Sequence, residues 1–369
     1  MKTLLLTFHI SPLTKVFFLL PSAFSLLLAL LLGSSCKNGG VEPPPPPDGL
    51  DTTSHEFVWQ IDTLGDASSI LNDVFIIDEN NIWAVGEIYL REAGQIDPQP
   101  YALAKWNGSE WSLHKVPYHD FGSTETNPGI LNTILAFSLD DVYVVSYANL
   151  LHWDGTTWTE MAFFMTAIPF DGQVNRMWGT NGSNIYCVGR NGAIYHFIGA
   201  SWQKLESGTT VGFLDVNGNA ATGVAFAVAS SQEETKVYRI EGTQVSEVPG
   251  WPSENHLGGI WVSPSSTYVS GVGIWRFDGD TTWNEVGEFP LTFYRDMAGN
   301  SDSDFMAGSW GGVVAHYNGN SWHLYEEIPP ELYFNAVAVK GNTAVAVGFL
   351  SAGVFSSGKA ITAIGRRIQ

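Results

Sequence analysis

Three histidines, His152, His196 and His316, stand at one repeated place in the chain, two residues before a turn, where other copies carry Lys105, Arg239 and Arg276. Imidazole is the side chain most suited to metal ligation and proton transfer near neutral pH. Each of these, however, belongs to a different repeat, so the three do not converge on one ion. A basic residue at a fixed repeat position reads instead as a partner for a neighbouring strand or acid, and no metal or cofactor is expected. A second set is Asn72, Asn132, Asn175 and Asn335, which recur where a new strand begins, with Arg295 and Asp296 at the same place in the sixth repeat. Amide, guanidinium and carboxylate groups in one ring can bind a polar ligand or satisfy main-chain groups between sheets. The second use is favoured, and these six are the candidate ligand contacts. Carboxylates such as Asp97, Asp120 or Asp296 would serve as acid and base on a polysaccharide if two of them stood roughly 5 to 10 Å apart. The chain has no Gly-x-Ser-x-Gly, His-Glu-x-x-His, phosphate loop or paired Cys-x-x-Cys, so no catalytic residue is assigned. Cys187, in the middle of an apolar phrase, reads as a buried, inert thiol.

The elements that would position these residues come from an internal repeat. Asn81-Ile82-Trp83-Ala84-Val85-Gly86 returns as variants ending at 146, 189, 229, 271, 308 and 348. A period of about forty residues is that of a four-stranded propeller blade. The phrase is apolar on both faces and rich in β-branched and aromatic residues, as suits a strand inside a blade. Downstream in each unit lies a turn phrase: Trp106-Asn107-Gly108 before Trp111, Trp153-Asp154-Gly155 before Trp158, Tyr317-Asn318-Gly319 before Trp322. Asn-Gly and Asp-Gly tolerate the positive φ of hairpin turns, and the tryptophans read as packing anchors. With a strand ahead of each first phrase, as in Leu71-Asn72-Asp73-Val74, a unit has four strands. The seventh unit ends after Lys359 to Arg366, one strand short, whereas Phe57 to Asp62 precedes the first unit without a blade. The expected fold is therefore all-β, a seven-bladed β-propeller of four antiparallel strands per blade, closed by the N-terminal strand pairing with the last blade. Closure leaves no open sheet edge.

Residues 1–35 read as a lipoprotein-type signal peptide: Lys2 and Lys15, an apolar stretch from Val16 to Leu32, then Gly33-Ser34-Ser35 before Cys36. Cys36 resembles the lipidated cysteine of bacterial lipoproteins. Residues 36–54 form a linker whose prolines, Pro43 to Pro47, favour a polyproline rod, and residues 55–369 form the propeller. Lys37 after the cysteine, in place of an Asp retention signal, points to the outer membrane. The formal charge of −20 repels phosphate backbones, so nucleic acid is not an expected partner.

Across residues 56–369 these phrases, with the ending Ala363-Ile364-Gly365-Arg366-Arg367, resemble a group of bacterial lipoprotein propellers seen in Bacteroidota and relatives. Its members often carry automatic names invoking glucosyl transfer. A glycosyltransferase normally needs a Rossmann-like sheet, and the chain has no helical periods to build one. The resemblance implies fold and location and transfers no catalytic residue. The double-glycine signature of kelch blades and the Trp-Asp ending of WD repeats are missing from the repeat. The expected function is an envelope binding module, more a binder than an enzyme and monomeric, which presents its loop face to a glycan or protein ligand. The longest connections on that face, Glu87 to Pro100 and Tyr118 to Ile130, and the apolar Phe163-Phe164-Met165, Pro169-Phe170 and Trp251-Pro252, either recognise a partner or fold back over the blades. A polysaccharide hydrolase or lyase is the alternative, and a structural part of an envelope assembly the third reading.

Overall fold

The computed structural model describes residues 53–92, 94–119, 124–163, 172–251, 256–287, 292–353 and 356–368. The signal segment, Cys36 and most of the linker lie outside these residues, as do Asp120, Phe164, Met165, Pro169, Phe170 and Pro252.

Seven four-stranded antiparallel sheets surround one axis. Their innermost strands are Ile70–Asp78, Thr133–Ser138, Val174–Asn181, Phe213–Asn219, Leu257–Val262, Tyr294–Ser301 and Leu332–Lys340. Each touches the next around the ring, and the seventh touches the first. The repeated apolar phrase supplies the second strand of every blade, beginning with Asn81–Ile88. The face on which the innermost strands begin is called the upper face below.

The ring closes as the sequence requires. Phe57–Leu64 pairs antiparallel with Ser356–Arg367, from Phe57 opposite Arg367 to Leu64 opposite Ala360, and becomes the outermost strand of the seventh blade. Phe57 is buried, its ring edge-on to Tyr325 at 5.9 Å, so closure buries apolar surface as well as pairing an edge. The chain enters this strand on the lower face, where the Thr53 hydroxyl donates to the Ser303 carbonyl.

The core lies between neighbouring blades rather than in one central mass. Leu135, Tyr143 and Val145 of the second blade pack on Val174, Met177, Ile185 and Cys187 of the third. Trp178, Tyr186 and Ile194 of the third pack in turn on Phe213, Val216 and Ala227 of the fourth. Because both faces of each sheet are covered, the second strands read as unbroken apolar runs.

The turn phrases connect the third and fourth strands by Asx turns. Asn107 Oδ1 accepts the Ser109 and Glu110 main-chain N–H groups at 3.0 and 2.9 Å, and Gly108 sits at φ +98°. Trp106 and Trp111 face each other across the turn at 5.5 Å, as do Trp153 and Trp158 at 5.4 Å. The two longest connections have strands of their own. Each carries a short hairpin, Arg91–Glu92 with Gln95–Ile96 and Pro117–His119 with Thr126–Pro128. The second is held to the neighbouring blade by His119, whose Nδ1 meets Glu160 Oε1 at 2.8 Å.

Candidate functional site

A β-bulge near the start of the innermost strand builds the mouth of the channel. Asn72, Asn175, Leu214, Gly258, Arg295 and Asn335 each fall between consecutive pairs with the second strand, unpaired themselves. Asn132 takes the same place just ahead of its strand, where its N–H donates to the Val145 carbonyl at 2.7 Å. A bulge inserts one residue and re-aims its neighbours, so two successive side chains reach the axis where strict alternation would allow one. The second-strand glycines belong to the same device. A Cβ at Gly86, Gly189, Gly271 or Gly348 would lie 2.1, 1.8, 2.3 or 1.8 Å from the carbonyl oxygen of Ile70, Gln173, His256 or Tyr333.

All six residues expected to crowd one mouth of the channel do so. Asn72, Asn132, Asn175, Arg295, Asp296 and Asn335 line a single cavity of about 400 Å³ on the upper face. The amides are engaged with main chain. Asn72 Nδ2 donates to Leu131 O at 2.9 Å, Asn175 Nδ2 to Phe213 O at 2.6 Å and Asn335 Nδ2 to Leu71 O at 2.9 Å, in each case across to the next blade. Asn132 Oδ1 accepts the Tyr147 N–H at 2.8 Å, supporting a residue held at φ +51°. All four asparagines thus have a demonstrable architectural role.

One residue further along the innermost strands lies a layer of charge. Asp73, Asp215 and Asp296 each cap their own strand and the next. Asp73 accepts from Val74 N, Thr133 Oγ1 and Ile134 N; Asp215 from Val216 N and Ile260 N; Asp296 from Met297 N and Val337 N, all within 2.7 to 3.0 Å. Arg176 lies among them, 3.9 Å from both Asp73 Oδ2 and Asp215 Oδ1. Arg176, Asp215 and Asp296 line both the mouth and the narrower space of about 290 Å³ beneath it, and so form the floor of the mouth. Burial pushes the Asp215 carboxyl up to about 6 against the pull of Arg176. Burial, with Asp215 beside it, pushes Asp296 up to about 7. Burial alone would lower the Arg176 pKa, but the fields of Asp73, Asp215 and Asp296 hold it above its ordinary value.

Arg295 differs from every other charged group of the mouth. Among the described residues its guanidinium makes no hydrogen bond or ion pair, and its nearest defined contact is the face of Trp310, 5.6 Å from Cζ to ring centroid. Its side chain is exposed at the mouth, yet the protein crowded around it lowers its pKa, Arg176 lowers it further, and Asp296 and Asp215 pull the other way. Trp310 is 45% exposed and leads by way of Tyr333, at 5.8 Å, to Phe349, stacked on Tyr333 at 5.2 Å. The candidate set lacked Asp73, Arg176, Asp215 and Trp310. Aligning the seven inner strands on the residue after the asparagine would have found the first three.

The other candidates resolve into structure. His152, His196 and His316 each bond, through Nε2, the first residue of their own second strand: Asp141 at 2.8 Å, Asn184 at 2.7 Å and Asp304 at 2.9 Å. In the first blade Lys105 lies 3.5 Å over the Trp83 ring instead. Asp97 is bound to Lys115 at 2.8 Å. Cys187 is fully buried, and burial raises its thiol pKa well above the ordinary value. Trp251 folds back edge-on to Trp283 and Trp275, at 5.2 and 5.8 Å.

No protein-family model and no curated protein sequence matches the chain. It is similar to solved structures. That of YCF48 bound to D1 peptide matches with TM-score 0.63 at 15% identity, covering 87% of this chain and 100% of the other. YCF48 from Cyanidioschyzon merolae matches at 0.55 and 13%, covering 82% and 98%. The WD40 propeller domain of Doa1 matches at 0.61 and 12%, covering 85% and 98%. At such identities the likeness concerns fold, and the fold is that of a seven-bladed β-propeller.

Proposed function

We propose that this protein is a binding module of the bacterial envelope, tethered to the outer membrane through Cys36 and presenting the channel mouth to a protein or glycan. One observation carries the reading. In a ring whose other polar groups are already bonded to main chain, Arg295 and the exposed Trp310 remain open to the solvent of the upper face. The YCF48 structure holds a D1 peptide, a precedent for peptide recognition by this fold. The described chain enters the propeller on the lower face at Thr53, and the mouth opens on the upper face. The test is a glycan array together with pull-down from envelope extracts, using the wild-type chain and Trp310→Ala. Retention of a ligand by the wild type and its loss in the variant is the expected result; two empty screens reject the reading. Mass spectrometry of the amino terminus checks the tether, with a diacylglyceryl-modified Cys36 expected.

The rival reading, an enzyme acting on polysaccharide, draws on Asp296, whose carboxyl is held near neutrality as a general acid requires. Both its oxygens already accept main-chain N–H groups, which favours the binding reading. Polysaccharide cleavage by the wild type that disappears in Asp296→Asn would reverse this preference.

A further inference from the structure

The mouth is chemically two-sided. The amides of Asn72, Asn175 and Asn335 are turned to neighbouring carbonyls, while Arg295, Trp310 and Phe349 form a cation beside an aromatic shelf. We infer that the mouth receives the carboxyl-terminal end of a polypeptide whose last side chain is apolar or aromatic. The terminal carboxylate lies on Arg295 and the side chain on the Trp310–Phe349 shelf. This inference rests on the binding-module reading and names its ligand.

Four features carry it. A guanidinium presents a planar fork that matches a carboxylate bidentately, and Arg295 has no such partner within the described protein. In a chain terminus the carboxylate and the last side chain leave the same Cα, so their receptor groups must adjoin; Arg295 and Trp310 do, at 5.6 Å. Arg176, Asp215 and Asp296 stand where the mouth adjoins the smaller space beneath it, and a volume of about 400 Å³ falls within the roughly 300–1,000 Å³ of small-ligand pockets. Finally, the carboxylates are not at hand for the hydroxyl groups of a sugar, since both oxygens of Asp73, Asp215 and Asp296 are engaged, which leaves the amide oxygens of Asn72, Asn175 and Asn335 and the Asn132 amide nitrogen beside Arg295. The net charge of −20 also disfavours a long polyanion, whereas a single carboxylate meeting one arginine is tolerated.

The experiment uses the full chain in detergent micelles and fluorescein-labelled pentapeptides carrying each of the twenty residues at the last position, every one as free acid and as C-terminal amide. Fluorescence anisotropy is expected to show binding by free acids ending in Phe, Tyr, Trp, Leu, Ile or Met, at least tenfold weakened by amidation. Arg295→Met should bring the acid down to the affinity of the amide. Arg295→Lys, which keeps charge but not the fork, should lose several-fold, and Trp310→Ala should weaken acid and amide alike. Thermal melts verify that the variants fold, and Trp310→Ala at an exposed position serves if an Arg295 variant does not. Absence of binding by any free acid, equal affinity of acid and amide, or undiminished preference for the acid in Arg295→Lys would each overturn the inference. If peptides fail while the glycan array or the pull-down yields a ligand lost in Trp310→Ala, only the identity of the ligand falls. If those screens are empty too, the binding-module reading falls with it.

Discussion

Arg176 of the third blade donates from Nη2 to the main-chain oxygen of Asn72 in the first, at 3.4 Å, and from Nη1 to that of Asn132 in the second, at 3.5 Å. One side chain thus ties three blades across the lumen while facing Asp73 and Asp215. This layer, more than the asparagine ring above it, sets the electrostatics of the mouth.

Removal of Arg176 leaves three inward carboxylates without their counter-charge. With 19% of its side chain still open, the low end of the range for breaking a buried pair applies, so Arg176→Met should lose about 3 kcal/mol at pH 7.5. Asp215 and Asp296 have pKa values raised above those of the unfolded chain, so the folded state binds the extra protons, and stability falls as pH rises through about 4 to 7. The variant should therefore recover part of its loss at pH 5. Urea unfolding at the two pH values checks this, and an equal loss at both would contradict it.

Acid should loosen the entry of the chain into the ring. His55 Nδ1 meets His316 Nδ1 at 2.8 Å, and His316 Nε2 meets Asp304 Oδ1 at 2.9 Å. Burial, then His316, His323 and Arg367, lower the His55 pKa to about 4. An unfolded histidine titrates near 6.5, so the unfolded state takes the proton first. The His55 contribution is complete above that value, is lost as pH falls from about 6.5 to about 4, and is flat below. The drop in melting temperature between pH 7 and pH 4.5 should be smaller in His55→Asn than in the wild type; an identical drop refutes the assignment.

Ring closure predicts a contrast between neighbours on the first strand. Phe57 is 7% exposed and Val58 is 60% exposed. Phe57→Ala should cost about 3–5 kcal/mol, by transfer and cavity effects, while Val58→Ala should stay within about 0.5 kcal/mol. Denaturant midpoints at unchanged slope measure both, and similar effects at the two positions would argue against closure by this strand.

Gly348 faces the Tyr333 carbonyl where the bulge brings the innermost strand closest. A methyl there would lie 1.8 Å from that oxygen, so Gly348→Ala should destabilise by about 1–3 kcal/mol. Ala229 stands at the matching position of the fourth blade, paired with Phe213, and shows that a side chain is accommodated there. Ala229→Gly should therefore have a smaller effect than Gly348→Ala. The opposite ranking in chemical denaturation would show that the close approach is not what selects glycine.

Much of this was legible before any coordinates. The seven phrases, their spacing, the Asx-Gly turns and the surplus strand at Phe57 are local signals: each records a pairing or turn preference of adjacent residues, and the count of strands forces closure. The ring of Asn72, Asn132, Asn175 and Asn335 was equally visible because it recurs in register. The hairpins within the long connections were not, since Arg91–Glu92 and Gln95–Ile96 are too short and too polar to carry a periodic pattern.

By itself, then, the sequence determined a closed ring of seven blades and, in five of them, a polar residue near the start of the inner strand. Only the tertiary structure decided what those residues meet. The bulge after Leu71 and its counterparts breaks the alternation on which strand reading depends, so Asp73 reaches the axis together with Asn72. Closure then brings together Asp73, Arg176, Asp215 and Asp296, each from a different repeat, and their charges and pKa values follow from mutual burial, which no stretch of neighbouring residues encodes. The same closure sets Arg295 beside Trp310, within the fields of Asp296 and Asp215 but with no hydrogen bond or ion pair to its guanidinium among the described residues.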